Sequence, residues 1–380
     1  MTLTFFTNRL NHHQAPVADE LYRLLGDDFH FVETQRPREA TSKGSAEDFS
    51  KRPYLIKAWE DETARKKAEG WALSSDVAVY GAASIDYEIL RVRNTDKLTF
   101  DLSERWFKRG LLNAISPRFV KHFWYYHTLF HRKPVYKLCA SAFAARDERC
   151  MFAFRERCFK WGYFPKLTVS PVADTPFGSP IRVMWCARFL SWKHPELAIK
   201  LVSRLQNKGY SISLDMFGDG GELARSKELA SRLRMNGIIR FFGATPNEVV
   251  LEEMRKHDVF LFTSDRKEGW GVVANEAMAN GCVLVASDAI GSTPYLVKHR
   301  ETGIVFMSGC LRSLEKEVQW LFNNPGAFKS IRKNGQALIT SYWNPAKAAE
   351  ALVRLSGELM DKMDNTTIKD GPCSKAQIIR

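Results

Sequence analysis

The second half of the chain alternates short apolar runs with longer amphipathic segments. The apolar runs read IRVMWC, SISLDMF, IIRFFG, DVFLFTS and CVLVAS, and each of the first four is followed by a helical pattern of ten or so residues. Strands that are apolar along their whole length are typical of parallel sheets, which helices cover on both faces. We therefore predict a doubly wound α/β domain over residues 181–343.

The first half predicts a second, looser α/β domain over residues 1–170, and a length of 380 residues favours two domains. Its predicted strands are LTFFT (3–7), FHFVET (29–34), DVAVYG (76–81) and KLTFDL (97–102). The segment 171–180 is rich in proline and fits a linker. A late helix is predicted over 344–363, and the polar end, 364–380, is expected to be a loose tail.

The composition is ordinary for a soluble globular protein, with 45% hydrophobic and 26% charged residues. No apolar run approaches the roughly 18 residues that a spanning helix needs, and the start lacks a signal-peptide pattern. The seven cysteines are scattered without a CxxC pair, which argues against a disulfide framework or a zinc site. We expect a cytoplasmic protein.

The net charge of +13 is concentrated in residues 101–170, which hold 14 Lys and Arg against 5 Asp and Glu. Bases and aromatic residues interleave there in KHFWYYHTLFHRKPVYK. Nucleic acid, an anionic membrane surface or phosphorylated substrates could each explain this segment, and so could a solvated basic face with aromatics packed inward. Since no nucleic-acid motif accompanies the segment, we do not expect a nucleic-acid partner.

Four loops of the second domain follow predicted strands and carry polar or glycine-rich sequences. They are ARFLSWK, with Arg188 and Lys193; GDGG, which begins at Gly218; GATPNE, with Gly243 and Thr245; and SDRKEGWG, with Glu268. Open parallel sheets bind ligands beyond the carboxyl ends of their strands, where the strand order reverses. These loops are therefore the predicted ligand-binding edge.

The stretch EGWGVVANE places two carboxylates in a segment that otherwise reads as buried core. A helix predicted to start near Gly271 would offer free N–H groups to a phosphate. Glu268 precedes that helix and can face the same cavity, and Glu276 can accept hydrogen bonds from a vicinal diol such as a ribose. With Arg188 and Lys193 as two cations, the set fits a nucleotide diphosphate sugar without a metal.

The ordered series of motifs over residues 181–305 closely resembles the nucleotide-sugar domain of family 4 glycosyltransferases. The match covers ARFLSWK, FGDGGELARSKELA, FFGATPNEVV, EGWGVVANE and GSTPYLVKHRETGIVF. The resemblance implies a GT-B fold, in which two Rossmann-like domains face each other across a cleft. It also implies a retaining, metal-independent hexosyltransferase that uses no cofactor.

The same resemblance implies a role for each matched residue. Arg188 and Lys193 correspond to the pair that binds the diphosphate and stabilises the leaving group, and Glu268 to the residue that holds donor-sugar hydroxyls. Glu276 corresponds to the ribose ligand. The implied donor-binding set also includes Gly269, Trp270, Gly271, Val272, Gly218, Gly243 and Thr245.

Relatives commonly use saccharide or lipid-linked acceptors in cell-surface polysaccharide or glycoconjugate synthesis, and the late helix is expected to return to the first domain. A peripheral position on the inner face of the membrane would then explain the basic segment 101–170. The family's glycine-rich turn after the first strand is replaced here by TNRLNHHQ. His12 and His13 in that loop, and Glu104 after a later strand, are the acceptor-side candidates.

Two other classes of protein stay open from the residues alone. A nicotinamide-dependent dehydrogenase could share the strand and helix alternation, but it predicts a G-x-G-x-x-G turn after an early strand, and GDGG lacks that spacing. A non-catalytic α/β protein that binds nucleic acid or membranes through its basic charge would lose affinity steeply with salt.

Overall fold

A computed structural model describes residues 1–36, 48–167, 169, 179–363 and 366–379. The chain forms two compact units, each built around a parallel β-sheet. Unit 1 contains Met1–Lys166 and Tyr342–Arg380, and unit 2 contains Leu167–Ser341. Most of the predicted linker, residues 171–178, lies outside the described residues.

Unit 2 has a six-stranded sheet in the order β10-β9-β8-β11-β12-β13, and all of its described pairings are parallel. Its strands are β8 (Ile181–Cys186), β9 (Ile212–Phe217), β10 (Ile239–Gly243), β11 (Val259–Phe262), β12 (Val283–Ser287) and β13 (Ile304–Phe306). Its helices are α6 (Pro195–Asn207), α7 (Leu223–Arg232), α8 (Asn247–Met254), α9 (Val273–Ala279), α10 (Thr293–Leu296), α11 (Leu311–Phe322) and α12 (Pro325–Ser341). The predicted α/β fold class is confirmed, and the strand order reverses between β8 and β11.

The local sequence accounts for helix α6, which leads away from this reversal point. Pro195 occupies the first turn, where a missing N–H costs nothing, and the preceding His194 adopts the left-handed conformation with φ of 50°. Leu197, Leu201 and Leu205 then recur at helical spacing and are buried against the sheet.

Unit 1 has a seven-stranded parallel sheet in the order β3-β2-β1-β4-β5-β6-β7, which reverses between β1 and β4. Its strands are β1 (Leu3–Thr7), β2 (Phe29–Glu33), β3 (Leu55–Lys57), β4 (Val77–Tyr80), β5 (Leu98–Ser103), β6 (Val135–Cys139) and β7 (Cys158–Lys160). Its helices are α1 (Ala15–Leu25), α2 (Glu62–Ser74), α3 (Ile85–Asn94), α4 (Pro117–Thr128), α5 (Ala144–Cys150) and α13 (Pro345–Met360).

The carboxyl-terminal residues belong to unit 1. Helix α13, which falls within the segment predicted as a late helix, packs against α1. Asn344 caps it by accepting a hydrogen bond from the N–H of Lys347 at 2.9 Å, and Pro345 follows in the first turn. The main chain therefore re-enters unit 1 at Tyr342.

The expectation of a loose tail over 364–380 is wrong for residues 366–379. Cys373 and Ser374 are buried, and Cys373 N–H donates to the carbonyl of Lys160 at 2.7 Å. Lys160 N–H donates in return to the carbonyl of Ser374 at 2.7 Å. The tail therefore pairs with β7, the last strand of the sheet order, whose main-chain groups would otherwise lack a partner on that side.

Candidate functional site

The loops after β8 and β11 meet where the sheet of unit 2 reverses its strand order. These two strands are parallel neighbours, with Val183 beside Val259 and Met184 beside Phe260. The chain leaving β8 carries Arg188 and Lys193, and the chain leaving β11 carries Glu268. The sheet topology thus places predicted cations and a predicted carboxylate at the same edge.

Lys193 and Glu268 form an ion pair at this edge, with side chains that are 11% and 12% exposed. The Lys193 ammonium bonds Glu268 Oε2, which also accepts a hydrogen bond from the Ser264 hydroxyl at 3.0 Å. Glu268 Oε1 accepts no hydrogen bond from another described residue. An ammonium has three donors, so Lys193 retains donors for an oxygen of a ligand while it holds Glu268 in place.

Local contacts fix the main chain around this pair. Thr263 donates its hydroxyl hydrogen bond to the carbonyl of Lys193 at 2.7 Å, and Asp265 N–H donates to the carbonyl of Trp192 at 2.9 Å. The Lys193 ammonium lies 4.4 Å from the centre of the Trp192 ring, within cation–π range. The β8 loop is therefore tied to the β11 loop by both main-chain and side-chain contacts.

Glu276 lies in the first turn of α9, on a helix whose other side chains are mostly buried. Burial raises the pKa of its carboxyl, and a hydrogen bond from Asn247 opposes that rise. The bond is long, with 3.4 Å between Asn247 Nδ2 and Glu276 Oε1. The side chain is partly exposed, so the carboxylate has capacity for further donors, as a diol-binding group requires.

Cys186, the last residue of β8, lies close to both charged groups. Burial raises the pKa of its thiol to about 12, and the charge of Glu276 adds to the rise while Lys193 opposes it. The structure therefore brings Glu276 and Lys193 to the same end of β8, although 83 positions of sequence separate them.

Arg188 is exposed, and its guanidinium makes no hydrogen bond or ion pair with other described side chains. The loop that carries it is held by the GDGG segment. Phe189 N–H donates to the carbonyl of Asp219 at 2.9 Å, and a Cβ at Gly218 would lie 2.0 Å from the carbonyl oxygen of Ala187. With φ of 122° as well, Gly218 is the residue type that this approach requires. Arg188 is thus an unpaired cation on a fixed loop.

The EGWG segment is shaped by packing. The Trp270 ring is buried and donates from Nε1 to Asn275 Oδ1 at 2.9 Å. Gly271 has φ of 81°, and a Cβ there would lie 2.2 Å from Cζ of Phe262. The glycine lets this turn fold against Phe262 and brings Glu268 beside the start of the next helix. Val272 is the N-cap residue of α9, and Gly269 is buried.

Gly243 ends β10 and contacts the GDGG loop through its main chain. Its carbonyl accepts a hydrogen bond from Gly218 N–H at 2.7 Å and one from the Thr245 hydroxyl at 3.2 Å. The three predicted residues Gly218, Gly243 and Thr245 therefore form one connected turn beside the Arg188 loop.

The acceptor-side candidates lie in unit 1. His12 is exposed, whereas His13 turns toward a small apolar cavity lined by residues that include Phe5 and Phe164. Burial and the neighbouring His12 lower the pKa of His13 to about 4. Glu104 forms an ion pair with Lys108. Burial and the nearby Glu104 raise the pKa of Tyr163 well above its usual range, and the Tyr163 ring centre lies 6.1 Å from that of His13.

The sequence did not single out Ser264, Asn247 or Cys186, each of which contacts or influences a predicted carboxylate. Cys186 and Ser264 are the last residues of predicted apolar runs, and Asn247 begins the helix after another run, so these positions at strand ends were the available signal. In the part of the chain that the structure describes, no group of three or more His, Cys, Asp or Glu side chains could hold a metal ion. No described helix is long and apolar enough to cross a membrane.

The chain is similar to known proteins in sequence and in fold. Residues 175–338 match the family model for glycosyl transferases group 1. An uncharacterized glycosyltransferase of Haemophilus influenzae is 24% identical over 160 residues, which are 42% of this chain and 44% of that protein. The amylovoran biosynthesis glycosyltransferase AmsK of Erwinia amylovora is 26% identical over 140 residues, 36% of this chain and 34% of that protein.

A crystal structure of Anabaena HepE in complex with UDP matches with a TM-score of 0.68 at 13% identity, covering 95% of this chain and 100% of that one. This likeness shows the fold, which is the two-domain GT-B type. The chain spans less than half of the length of the curated relatives named above. Residues 175–338 therefore form a domain of the glycosyl transferases group 1 family, within a chain of the GT-B fold.

Proposed function

We propose that this protein is a glycosyltransferase that moves a hexose-like sugar from a UDP-sugar to a saccharide or lipid-linked acceptor, in the synthesis of a cell-surface polysaccharide or glycoconjugate. The family domain supports the class of reaction. The UDP complex of HepE and the amylovoran role of AmsK support the donor and the pathway class. Retention of anomeric configuration is proposed from the resemblance to family 4 enzymes.

The single observation that carries the proposal is the arrangement of four charges around the end of β8. Two carboxylates, Glu268 and Glu276, each keep an unused acceptor, and two cations, Arg188 and Lys193, accompany them. A UDP-sugar presents hydroxyls on two rings and a diphosphate between them. Each class of group on the ligand therefore has a matching partner at this edge.

The cations also suggest how the reaction is accelerated. Breaking the bond from the sugar to the diphosphate builds negative charge on the departing oxygen. Arg188 and Lys193 would stabilise that charge more strongly in the transition state than in the ground state. Because two fixed cations can serve this purpose, we propose that the reaction needs no metal and no cofactor.

A thermal-shift panel of nucleotide diphosphates and their sugars tests the proposal. A ligand at 100 times its dissociation constant adds about 2.7 kcal/mol to the stability of the fold it binds, so a true donor raises Tm. We expect UDP and a UDP-hexose to do so, and the UDP-hexose to be consumed slowly by transfer to water. If no nucleotide diphosphate sugar raises Tm, the proposal is wrong.

Helix α4 supports a further part of the proposal, namely a peripheral position on an anionic membrane. It buries Phe119, His122 and Tyr126 and leaves Phe123 and Trp124 in solvent, the latter 64% exposed. Other exposed side chains at this helix or just before it are Ile115, Arg118, Val120 and Lys121. Apolar and basic side chains together on one exposed surface are suited to an interface of anionic lipid.

Sedimentation with liposomes tests this position. We expect the protein to pellet with vesicles containing phosphatidylglycerol at low salt but not with phosphatidylcholine vesicles. The variant Phe123→Ser/Trp124→Ser should lose most of that binding, whereas Val249→Ser, which removes an exposed apolar side chain of unit 2, should keep it. Equal sedimentation of all three proteins would remove the membrane from the proposal and leave the transferase untouched.

A further inference from the structure

Unit 1 contains a polar cavity of about 210 Å³ at the carboxyl ends of β4 and β5. Its lining comes from the ends of both strands, from the loop before α3, and from α3 and α4. The polar and aromatic side chains of the lining include Tyr80, Glu88, Asp101, Trp106, Arg118, Lys121 and His122. None of the residues singled out from the sequence lines it.

A buried ion network adjoins the cavity and shares Asp101 and His122 with its lining. Lys137 is fully buried, with its ammonium 2.8 Å from Asp101 Oδ1 and 3.0 Å from Glu148 Oε1. Trp106 Nε1 donates to Glu148 Oε1 at 3.0 Å. Burial alone would raise the pKa of Glu148, but Lys137 and His122 lower it to about 2. Lys137 thus neutralises these carboxylates within the fold, although Glu148 Oε2 has no hydrogen-bond partner.

Three polar side chains that line the cavity have a buried atom without a hydrogen-bond partner. These atoms are Tyr80 Oη, Glu88 Oε1 and His122 Nε2. Their residues are 2%, 6% and 6% exposed, and all three line the cavity. The His122 ring also faces the ion network at longer range, with 3.6 Å between Nδ1 and Asp101 Oδ2 and 3.9 Å between Nε2 and Glu148 Oε2. A buried polar atom without a partner costs free energy, and folded proteins contain few of them. Three around one cavity indicate that the cavity is built to hold a polar guest.

Of these three side chains, Glu88 is the least favourable for the stability of the fold. No described residue donates a hydrogen bond to its carboxyl group, and burial beside Asp101 raises its pKa well above the usual range. An apolar side chain of similar size would fill the position at lower cost. The position therefore keeps a carboxyl group for something other than folding.

The rim of the cavity adds two cations. Arg118 and Lys121 are exposed on α4, one turn apart, beside the buried His122. The guanidinium of Arg118 lies 5.6 Å from the ring centre of Trp106. A ligand that enters the cavity beside Arg118 and Lys121 contacts positive charge at the rim and hydroxyl-binding groups deeper inside.

The geometry points to a second ligand site in unit 1, which takes one hydroxyl-rich sugar ring between Tyr80, Glu88 and His122 and holds the phosphate attached to that ring at Arg118 and Lys121. The cavity of about 210 Å³ has the volume of about seven water molecules at about 30 Å³ each, which fits one monosaccharide. The identification of this ligand as the acceptor rests on the proposed function: the site binds a phosphate-linked saccharide that receives the transferred sugar.

The neighbouring features of α4 agree with a lipid-linked form of that acceptor. The same helix that supplies Arg118, Lys121 and His122 exposes Phe123 and Trp124. A sugar diphosphate on a lipid would present its ring, its anionic group and its apolar tail in that order. A soluble sugar phosphate shares the first two, so both forms belong in the test.

Calorimetric titration of the full chain saturated with UDP tests the site, because UDP occupies the predicted donor groups of unit 2. The probes are the 1-phosphates of glucose, galactose, mannose and N-acetylglucosamine, and a farnesyl diphosphate-linked glucose in neutral micelles. Methyl glucoside and inorganic phosphate are the comparison probes. We expect at least one sugar phosphate to bind, and methyl glucoside and phosphate each to bind more weakly.

Two variants locate the binding. Glu88→Leu and Arg118→Ala/Lys121→Ala should each weaken sugar-phosphate binding roughly tenfold or more, since the first removes a hydrogen-bonding group of the ring site and the second removes both phosphate-binding cations. The matched control Lys66→Ala/Arg93→Ala removes two exposed cations of unit 1 elsewhere and should have no effect. Glu88→Leu should also keep or raise Tm, a result that a purely structural carboxylate would not give.

The results separate this site from the proposed function. Failure of every sugar phosphate to bind, or equal binding by all variants, overturns the second site even if UDP binds well. A sugar phosphate that binds at the cavity in a protein with no affinity for UDP or UDP-sugars would keep the site and overturn the transferase. A cavity that holds only ordered water would give no heat with any probe and would count against the site.

Discussion

Both units place charged side chains at the carboxyl edge of a parallel sheet, but they use them differently. In unit 2 Arg188, Lys193 and Glu268 follow strands, while Glu276 stands on helix α9. Arg188 is unpaired with any described side chain, and Lys193 shares its ammonium with one carboxylate. In unit 1 several charges come from within strands and helices, so Lys137 and Glu148 are buried and neutralise each other. The cations Arg188 and Lys193 keep donors for a ligand, whereas Lys137 is neutralised within the fold.

The two regions also respond to pH with opposite sign. Glu148 has a lowered pKa, so it stabilises the fold above the usual glutamate range, and that contribution is lost as the pH falls toward about 2. Glu276 has a raised pKa, so its contribution is present at low pH and is lost as the pH rises through the folded value. At neutral pH, Glu276 thus costs stability that a donor with hydroxyl groups would restore.

The largest expected effect concerns the buried ion network of unit 1, in which Lys137 pairs with Asp101 and Glu148. Lys137→Met should lower the free energy of unfolding by about 3–5 kcal/mol, because it leaves the carboxylates of Asp101 and Glu148 buried without their cation. Lys133→Met, which breaks the pair with the exposed Asp96, should cost less than about 1 kcal/mol. Urea unfolding measures both. Similar small losses for the two variants would show that Lys137 is not needed to neutralise the two buried carboxylates.

The next effect concerns the open cations of unit 2. Arg188→Ala should lower the rate of sugar transfer or donor hydrolysis by roughly 10²–10³ and leave Tm without ligand unchanged, since Arg188 is exposed. Lys200→Ala removes an exposed cation of the neighbouring helix α6 and should keep the full rate. Steady-state kinetics with UDP-glucose separates the two variants. A normal rate for Arg188→Ala would contradict the assignment of that cation.

A smaller effect tests how the Arg188 loop is held. Gly218→Ala places a Cβ against the carbonyl of Ala187 in a backbone conformation that alanine rarely adopts, and we expect a loss of at least about 2 kcal/mol. Gly221→Ala, in the same GDGG segment, meets open space at a φ outside the strained region and should cost less than about 1 kcal/mol. Equal unfolding midpoints for the two variants would show that the close approach is unimportant.

The smallest effect is a pH dependence of donor affinity. Glu276 accepts hydroxyl hydrogen bonds best when it is charged, and its raised pKa brings its protonation closer to neutral pH. The affinity for UDP-glucose should therefore fall as the pH is lowered from neutral through the raised pKa of Glu276. Glu276→Gln should bind weakly with little pH dependence. An unchanged wild-type affinity down to the pH at which the protein begins to unfold would mean that Glu276 does not contact the donor.

The sequence predicts unit 2 well because its signals are local. Each strand from Ile181 to Ser287 is an apolar run of four to six residues bounded by turn residues, so the alternation with helices is legible. Glu268 and Glu276 stand in one short motif, and Arg188 and Lys193 stand in another. The pairing of Lys193 with Glu268 could not be read from the sequence, since it depends on the adjacency of β8 and β11.

The cavity of unit 1 could not be predicted in the same way, because its lining residues are scattered along the chain from Tyr80 to His122. A weaker signal existed. Lys137 and Asp101 are charged residues in the middle of otherwise apolar strands, in VYKLC and LTFDLS, and such residues need a buried partner. The tail was mispredicted from its polar composition. Its pairing with β7 uses main-chain hydrogen bonds, which do not require apolar side chains and therefore leave no signal in the composition.

The most direct test of the donor site in unit 2 is a crystal structure of the protein with UDP-glucose. The account predicts that both ribose hydroxyls lie within about 2.6–3.2 Å of the Glu276 carboxylate, with the diphosphate against Arg188 and Lys193. A complex that leaves Glu276 without a ligand contact, or that places the nucleotide away from the carboxyl ends of β8 and β11, would contradict it.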